Sequence, residues 1–172
     1  MNLPLLFRDE LKGFYKSKVM IALWVGLPVI AILFRLVSFS TTGEDVPFTA
    51  VSSLVVASIG GTLAAVMLSV FIINEKNRHV YELFLIRPIK RWEIILAKFL
   101  AIYLCVAIAS LIAVATGIAV DYATAGVPST ALLSSAGESL VISLSSIAIS
   151  CSIGVLIGIA SPSVLVGAIL VI

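Results

Sequence analysis

Chemistry needs ionisable or nucleophilic side chains, and this chain gathers many of its own in one stretch. Asn74 to Lys98, NEKNRHVYELFLIRPIKRWEIILAK, holds six of the eleven Lys and Arg and three of the nine Asp and Glu. The single histidine, His79, lies there too. The spacing is that of ion pairing. Arg78 and Glu82 stand four residues apart and pair on one face of a helix, as do Glu75 and His79. The chain has no paired acids, no HExxH, and no Ser or Cys set beside a base. It also lacks the G-x-x-x-x-G-K-[ST] loop that cradles a nucleotide's phosphates. A lone loop histidine reads as a surface pairing partner. Cys105 and Cys151 both fall inside apolar runs, too isolated for a disulfide framework or a CxxC metal site, and read as small packing residues. No catalytic, cofactor-binding or metal-binding residue is expected, and the chain is not expected to be an enzyme.

The elements that hold this stretch are apolar. Of 172 residues, 61% are hydrophobic and 12% charged, with mean hydropathy +1.23. A soluble domain is nearer half apolar and one-quarter charged. The excess lies in runs of about 20 residues, the length that crosses ~30 Å of hydrocarbon. These features predict an all-α integral membrane protein, a polytopic helical bundle forming one domain over 1–172. Spans are expected at about 19–39, 51–73, 93–120 and 139–160. After Ser161-Pro162-Ser163 another apolar run, 164–172, reads as a partial span and the chain as a truncated one. Pro28 lies where it kinks the first span, and Arg35 where it snorkels to the interface. Three stripes of small residues let helix backbones approach in lipid. They are Ser58, Gly61, Ala65 and Ser69; Ala101, Cys105, Ala109, Ala113 and Gly117; and Ser143, Ser146, Ser150, Gly154 and Gly158.

Residues 2–18 read as an amphipathic helix lying in the headgroup layer. Asn2 caps it, and Pro4 fits its first turn. Leu3, Phe7, Leu11 and Phe14 share one face, with Arg8, Asp9, Lys12 and Lys16 largely opposite. Glu10 sits beside the apolar face and breaks the pattern. So long a charged lead-in argues against a cleaved signal peptide.

Lys and Arg counts set orientation. Four (Arg8, Lys12, Lys16, Lys18) precede the first span and six lie in 74–98, so ten of eleven fall on one side. That side is expected to be the cytoplasm, with Glu44, Asp45, Asp121 and Glu138 outside. Basic residues placed beside spans follow this rule, so nucleic-acid binding is not expected. No Asp, Glu, Lys or His falls at mid-depth in a span, where ion-coupled carriers usually keep such groups. Energy is therefore expected from outside the membrane.

Within the charged loop, Asn77 caps a short helix from Arg78 to about Arg87, Pro88 breaks it, and Ile89 to Lys98 rises into the third span. Val80, Tyr81, Leu83, Phe84, Leu85 and Ile86 make this helix apolar on a charged background, the mark of an interaction surface. The topology, with Glu75, Glu82, Pro88, Arg91 and Lys98 in an E…E…P-x-x-R…K pattern, resembles the permease subunits of type-2 (ABC-2) exporters of the ATP-binding-cassette class. The resemblance implies a coupling helix in 74–92 that docks on a nucleotide-binding subunit through Glu75, Arg78, Tyr81, Glu82, Phe84, Pro88, Arg91 and Lys98. It implies an interfacial helix with Phe7, Glu10, Leu11 and Phe14, Glu10-Leu11 taking the place of the family's acidic-hydrophobic pair. It also implies three kinds of partner: an ATP-binding cassette subunit carrying ATP-Mg, a second permease copy or homologue, and membrane lipid. A cell-membrane location with the N-terminus cytoplasmic follows, and six spans are usual in the family. The rival readings are a non-transport anchor or assembly protein whose basic loop binds a partner or lipid, and, last, a membrane-embedded enzyme. Cargo is not legible: the three methionines form no MxxM pattern, and no sugar-stacking aromatic array occurs.

Overall fold

A computed structural model describes residues 3–15, 18–42, 48–77, 91–125 and 130–171. These residues are helical apart from a break at 161–163, and no strand occurs among them. The helices are α1 (Leu3–Tyr15), α2 (Lys18–Thr42), α3 (Phe48–Val55), α4 (Gly61–Asn77), α5 (Arg91–Ala125), α6 (Thr130–Ala160) and α7 (Val164–Val171). A π turn, Val56–Gly60, joins α3 to α4 without a break. The all-α reading of the sequence holds.

Three stretches have the length and composition to cross a membrane: Ala50–Asn77, Trp92–Ala123 and Ala136–Ala160. The apolar run of α2, Met20–Phe34, is shorter, inside a helix of 25 residues. Pro28 lies within α2 and is buried. The helices outrun the apolar windows. The expected outer loop 121–138 narrows, because α5 continues through Asp121 to Ala125 and α6 begins at Thr130. A span ends where polar side chains begin, but the backbone ladder continues until a poor helix former interrupts it.

Lipid is as apolar as leucine, so close packing has to hold the bundle together. Two of the small stripes meet each other. A Cβ at Gly61 would lie 2.8 Å from the Ser150 hydroxyl, and one at Gly154 would lie 2.6 Å from the Ala65 carbonyl oxygen. A Cβ at Gly158 would lie 3.1 Å from the Ser69 Cα. Further along, the hydroxyls of Ser143 and Ser146 reach the carbonyls of Ser53 and Ala57 at 3.2 and 3.4 Å. The matched pairs ascend together, so α3–α4 and α6 run parallel.

Ser58 is not on this seam, contrary to the expected stripe. It is exposed and its hydroxyl returns to the Leu54 carbonyl at 2.7 Å. The seam instead uses Ser53, Ala57, Gly61, Ala65 and Ser69. At 3.6 residues per turn each four-residue step overshoots by about 40°. The wide π turn slows that rotation and keeps Ala57 on the seam.

The third stripe forms the face of α5 towards the remaining helices. Ala101, Cys105, Ala109 and Ala113 are all buried. The Trp24 indole N–H of α2 donates to the Cys105 carbonyl at 3.2 Å. At the SPS break, the Ser163 hydroxyl accepts from the Val166 N–H at 3.3 Å and caps α7.

Candidate functional site

Since α4 ends at Asn77 and α5 begins at Arg91, residues 78–90 link the two helices at one end of the bundle. At that end α1 packs against α5. Phe14 is buried, and Phe7 and Leu11 pack partly buried against the same core. These are three of the four apolar residues that periodicity placed on one face of α1; the side chain of the fourth, Leu3, lies outside the described residues.

Glu10 interrupted that face, and its position explains why. The Lys98 ammonium, two turns into α5, donates to Glu10 Oε1 and to Glu75 Oε1, each at 2.6 Å. Lys98 is 2% exposed; the Glu10 and Glu75 side chains are 28% and 25% exposed. Burying a lone ammonium is costly, so charge and hydrogen bonds must meet it there. Two carboxylates from two other helices do so. Glu10 belongs to the apolar face because its partner lies beneath that face.

One turn away the same helices supply an aromatic layer. Phe14 follows Glu10 by four residues on α1, and Phe71 precedes Glu75 by four on α4. Their rings meet edge to face, with centroids 5.0 Å apart and planes at 86°. Between the layers lies a cavity of about 260 Å³ lined by Glu10, Gly13, Phe14, Phe71, Glu75 and Lys98. The second carboxylate oxygen of Glu75 is buried and has no hydrogen-bond partner among the described residues.

Next to Glu75, Lys76 points elsewhere. Its ammonium donates at 3.4 Å to the Ile159 carbonyl in the last turn of α6, where helix carbonyls lack intrahelical partners. A larger hollow, about 490 Å³, lies between α5 and α6, walled by Trp92, Ile95, Leu96, Phe99, Ser152, Val155 and Leu156. Its walls are almost wholly apolar, and the Ser152 hydroxyl is already bonded to the Ala148 carbonyl at 2.9 Å. Among the described residues no three His, Cys, Asp or Glu side chains converge as a metal site.

Of the residues expected to dock a partner, the structure brings Glu75 and Lys98 together, with Glu10 of the interfacial set. Lys98 is buried between these two carboxylates, 2% exposed. The short helix expected over 78–87 lies outside the described residues, as do Arg78, Tyr81, Glu82, Phe84 and Pro88. Arg91 opens α5, and its side chain is likewise outside them. Phe71 and Gly13 were missed by the sequence reading. Their signal was spacing alone: Phe71 lies four residues before Glu75, and Gly13 three after Glu10.

The family profile of ABC-2 family transporter proteins matches residues 46–172. The chain belongs to the ABC-2 transporter family. No curated protein sequence matches it significantly. The ABC-2 match makes this a membrane transport permease and covers α3 to α7, with Phe71, Glu75, Lys98 and both faces of the small-residue seam. Helix α1, which brings Glu10, Gly13 and Phe14, precedes the matched region.

Proposed function

We propose that this ABC-2 chain is the membrane-spanning subunit of an ATP-driven exporter in the cell membrane, its N-terminus cytoplasmic. An ATP-binding cassette subunit seats on loop 74–92 and holds ATP-Mg; this chain supplies no cofactor ligand. A second permease copy or homologue completes the path, and substrate passes between the two halves. The absence of Asp, Glu, Lys and His from the mid-span positions of the sequence favours energy delivered through a docking loop over ion coupling.

The observation that carries this reading is the ion cluster. Glu75 and Lys98 stand at the two roots of the loop, and Lys98 also holds Glu10 of α1. A displacement of the loop then carries α4, α5 and α1 together, since separating any one of them takes one or both carboxylates from the buried Lys98. Packed, paired contacts shift as a unit in this way, not by continuous deformation.

Charge reversal in the loop tests the docking step. With Glu82→Lys, the partner's ATPase stimulation by the permease is expected to be lost while membrane insertion is retained. Normal stimulation by the Glu82→Lys protein would count against the coupling role.

A further inference from the structure

We propose that the π turn Val56–Gly60 is a hinge, about which α4 tilts while α3 stays fixed on α6. A π turn spaces its hydrogen bonds more widely than the α-helix around it, and sharp bends gather at such turns and at glycine pairs. This one runs into Gly60-Gly61. Ser58 and Thr62 flank the pair and turn their hydroxyls back onto the helix. They donate to the carbonyls of Leu54 at 2.7 Å and Ile59 at 3.0 Å, the kind of contact that bends helices. Packing does not require glycine at position 60. A Cβ there would meet Leu27 Cδ1 at 3.5 Å, Val56 Cγ1 at 3.7 Å and Val106 Cγ1 at 3.9 Å, all ordinary contacts. At Gly61, Gly154 and Gly158 a Cβ would crowd its neighbours. What glycine adds at position 60 is backbone freedom.

The turn also divides the seam into two kinds of contact. On the α3 side hydrogen bonds cross between helices, from Ser143 and Ser146 of α6 to the carbonyls of Ser53 and Ala57. On the α4 side the Ser69 hydroxyl bonds within α4, to the Val66 carbonyl at 2.9 Å, and α6 meets α4 through Gly154 and Gly158. Glycine faces have no side chains to interlock, so they permit the small sliding by which packed helices shift. The tightest approach, Gly154 to Ala65, lies close to Gly60 along the helix, where a tilt moves α4 least. At the far end the Lys76 bond to Ile159 is exposed and, at 3.4 Å, longer than the usual range. Glu75 lies at the moving end, so the ion cluster carries α1 and the start of α5 with α4. A tilt of about 20° shifts Asn74, about 21 Å along the helix from Gly60, by about 7 Å. Only the driver of the tilt rests on the export reading: a partner seated on loop 74–92 pulls α4 from its end.

The test uses the full chain alone in lipid nanodiscs, with Cys105→Ala and Cys151→Ala, and reads distances between pairs of spin labels by dipolar spectroscopy. Asn74→Cys with Leu156→Cys reports α4 against α6 near the ion cluster. Leu54→Cys with Val141→Cys reports α3 against α6. All four positions are exposed. The first distance distribution is expected to be broader than the second by up to about 7 Å, the reach of the tilt. Deleting Ser58 turns the π turn into α-helix, because a π turn holds one residue more than the α turn it replaces, and leaves both halves of the seam in phase. Ser58 is exposed, and its hydroxyl bonds lie within its own helix. The deletion is expected to narrow the first distribution to the width of the second at unchanged thermal stability. Gly60→Ala, whose methyl fits, is expected to narrow it in part and gives a second reading in a chain of full length. Equal widths for the two pairs in the parent chain, or a first distribution that neither variant narrows, overturns the hinge. No ATP-binding partner is in the assay, so that failure leaves the export reading standing. Failure to find such a partner, in turn, removes only the driver and leaves the hinge.

Discussion

Lys98 donates one ammonium N–H hydrogen bond to each of two carboxylates and has almost no exposure to water. Removing its charge therefore leaves two acids facing each other in a poorly solvated site. Breaking a fully buried pair costs about 3–5 kcal/mol; the quarter exposure of both glutamates reduces this to about 2–3 kcal/mol for Lys98→Met. The triple variant Lys98→Met/Glu10→Gln/Glu75→Gln is expected to regain most of that loss, because no unpaired charge remains. Unfolding in a mild detergent, measured on the single and triple variants, checks both values. A triple variant as unstable as Lys98→Met would mean that packing of the lysine stem, and not its charge, holds the three helices. The sequence offered half of this cluster. Glu10 was conspicuous as an acid beside an apolar face, and Glu75 and Lys98 belonged to a recognisable pattern. What joined them, an 88-residue separation between Glu10 and Lys98, leaves no trace in local periodicity.

At the scale of helices, the seam of α3–α4 with α6 does what a hydrophobic core does in water. Its stabilisation comes from close approach, and a single methyl in the wrong place removes it. Gly154→Ala puts a carbon 2.6 Å from the Ala65 carbonyl oxygen and 2.8 Å from its Cα, both backbone atoms that no rotamer change can move aside. Overpacking of this kind costs about 1–3 kcal/mol, and Gly154→Leu more. By contrast Gly137→Ala, where a Cβ meets nothing within 4 Å, is expected to be neutral or mildly stabilising. Thermal unfolding in lipid nanodiscs distinguishes the two sites, and equal sensitivity would refute the seam. The stripes were legible as stripes because glycine, alanine and serine recur at four-residue steps. Their pairing was not legible, since any small stripe can face any other. The π turn also escaped, and with it the true phase of the second span, because side-chain periodicity assumes 3.6 residues per turn throughout.

For the molecule as a whole, composition alone fixed the all-α membrane class, for 61% hydrophobic residues in span-length runs have no other stable arrangement in lipid. The span limits were less legible: hydropathy records where lipid contact ends, while helices stop only where hydrogen bonding is interrupted. The family match then makes the chain a transport permease. On this account the bundle is passive, with α1, α4 and α5 tied at one end by a buried ion cluster and driven through the loop between α4 and α5. The most direct test is to purify the tagged chain in mild detergent from its own membranes and identify what accompanies it. The account predicts a stoichiometric partner bearing G-x-x-x-x-G-K-[ST], lost with Glu82→Lys while the permease remains folded. A chain recovered alone, or with lipid only, would contradict it by removing the motor.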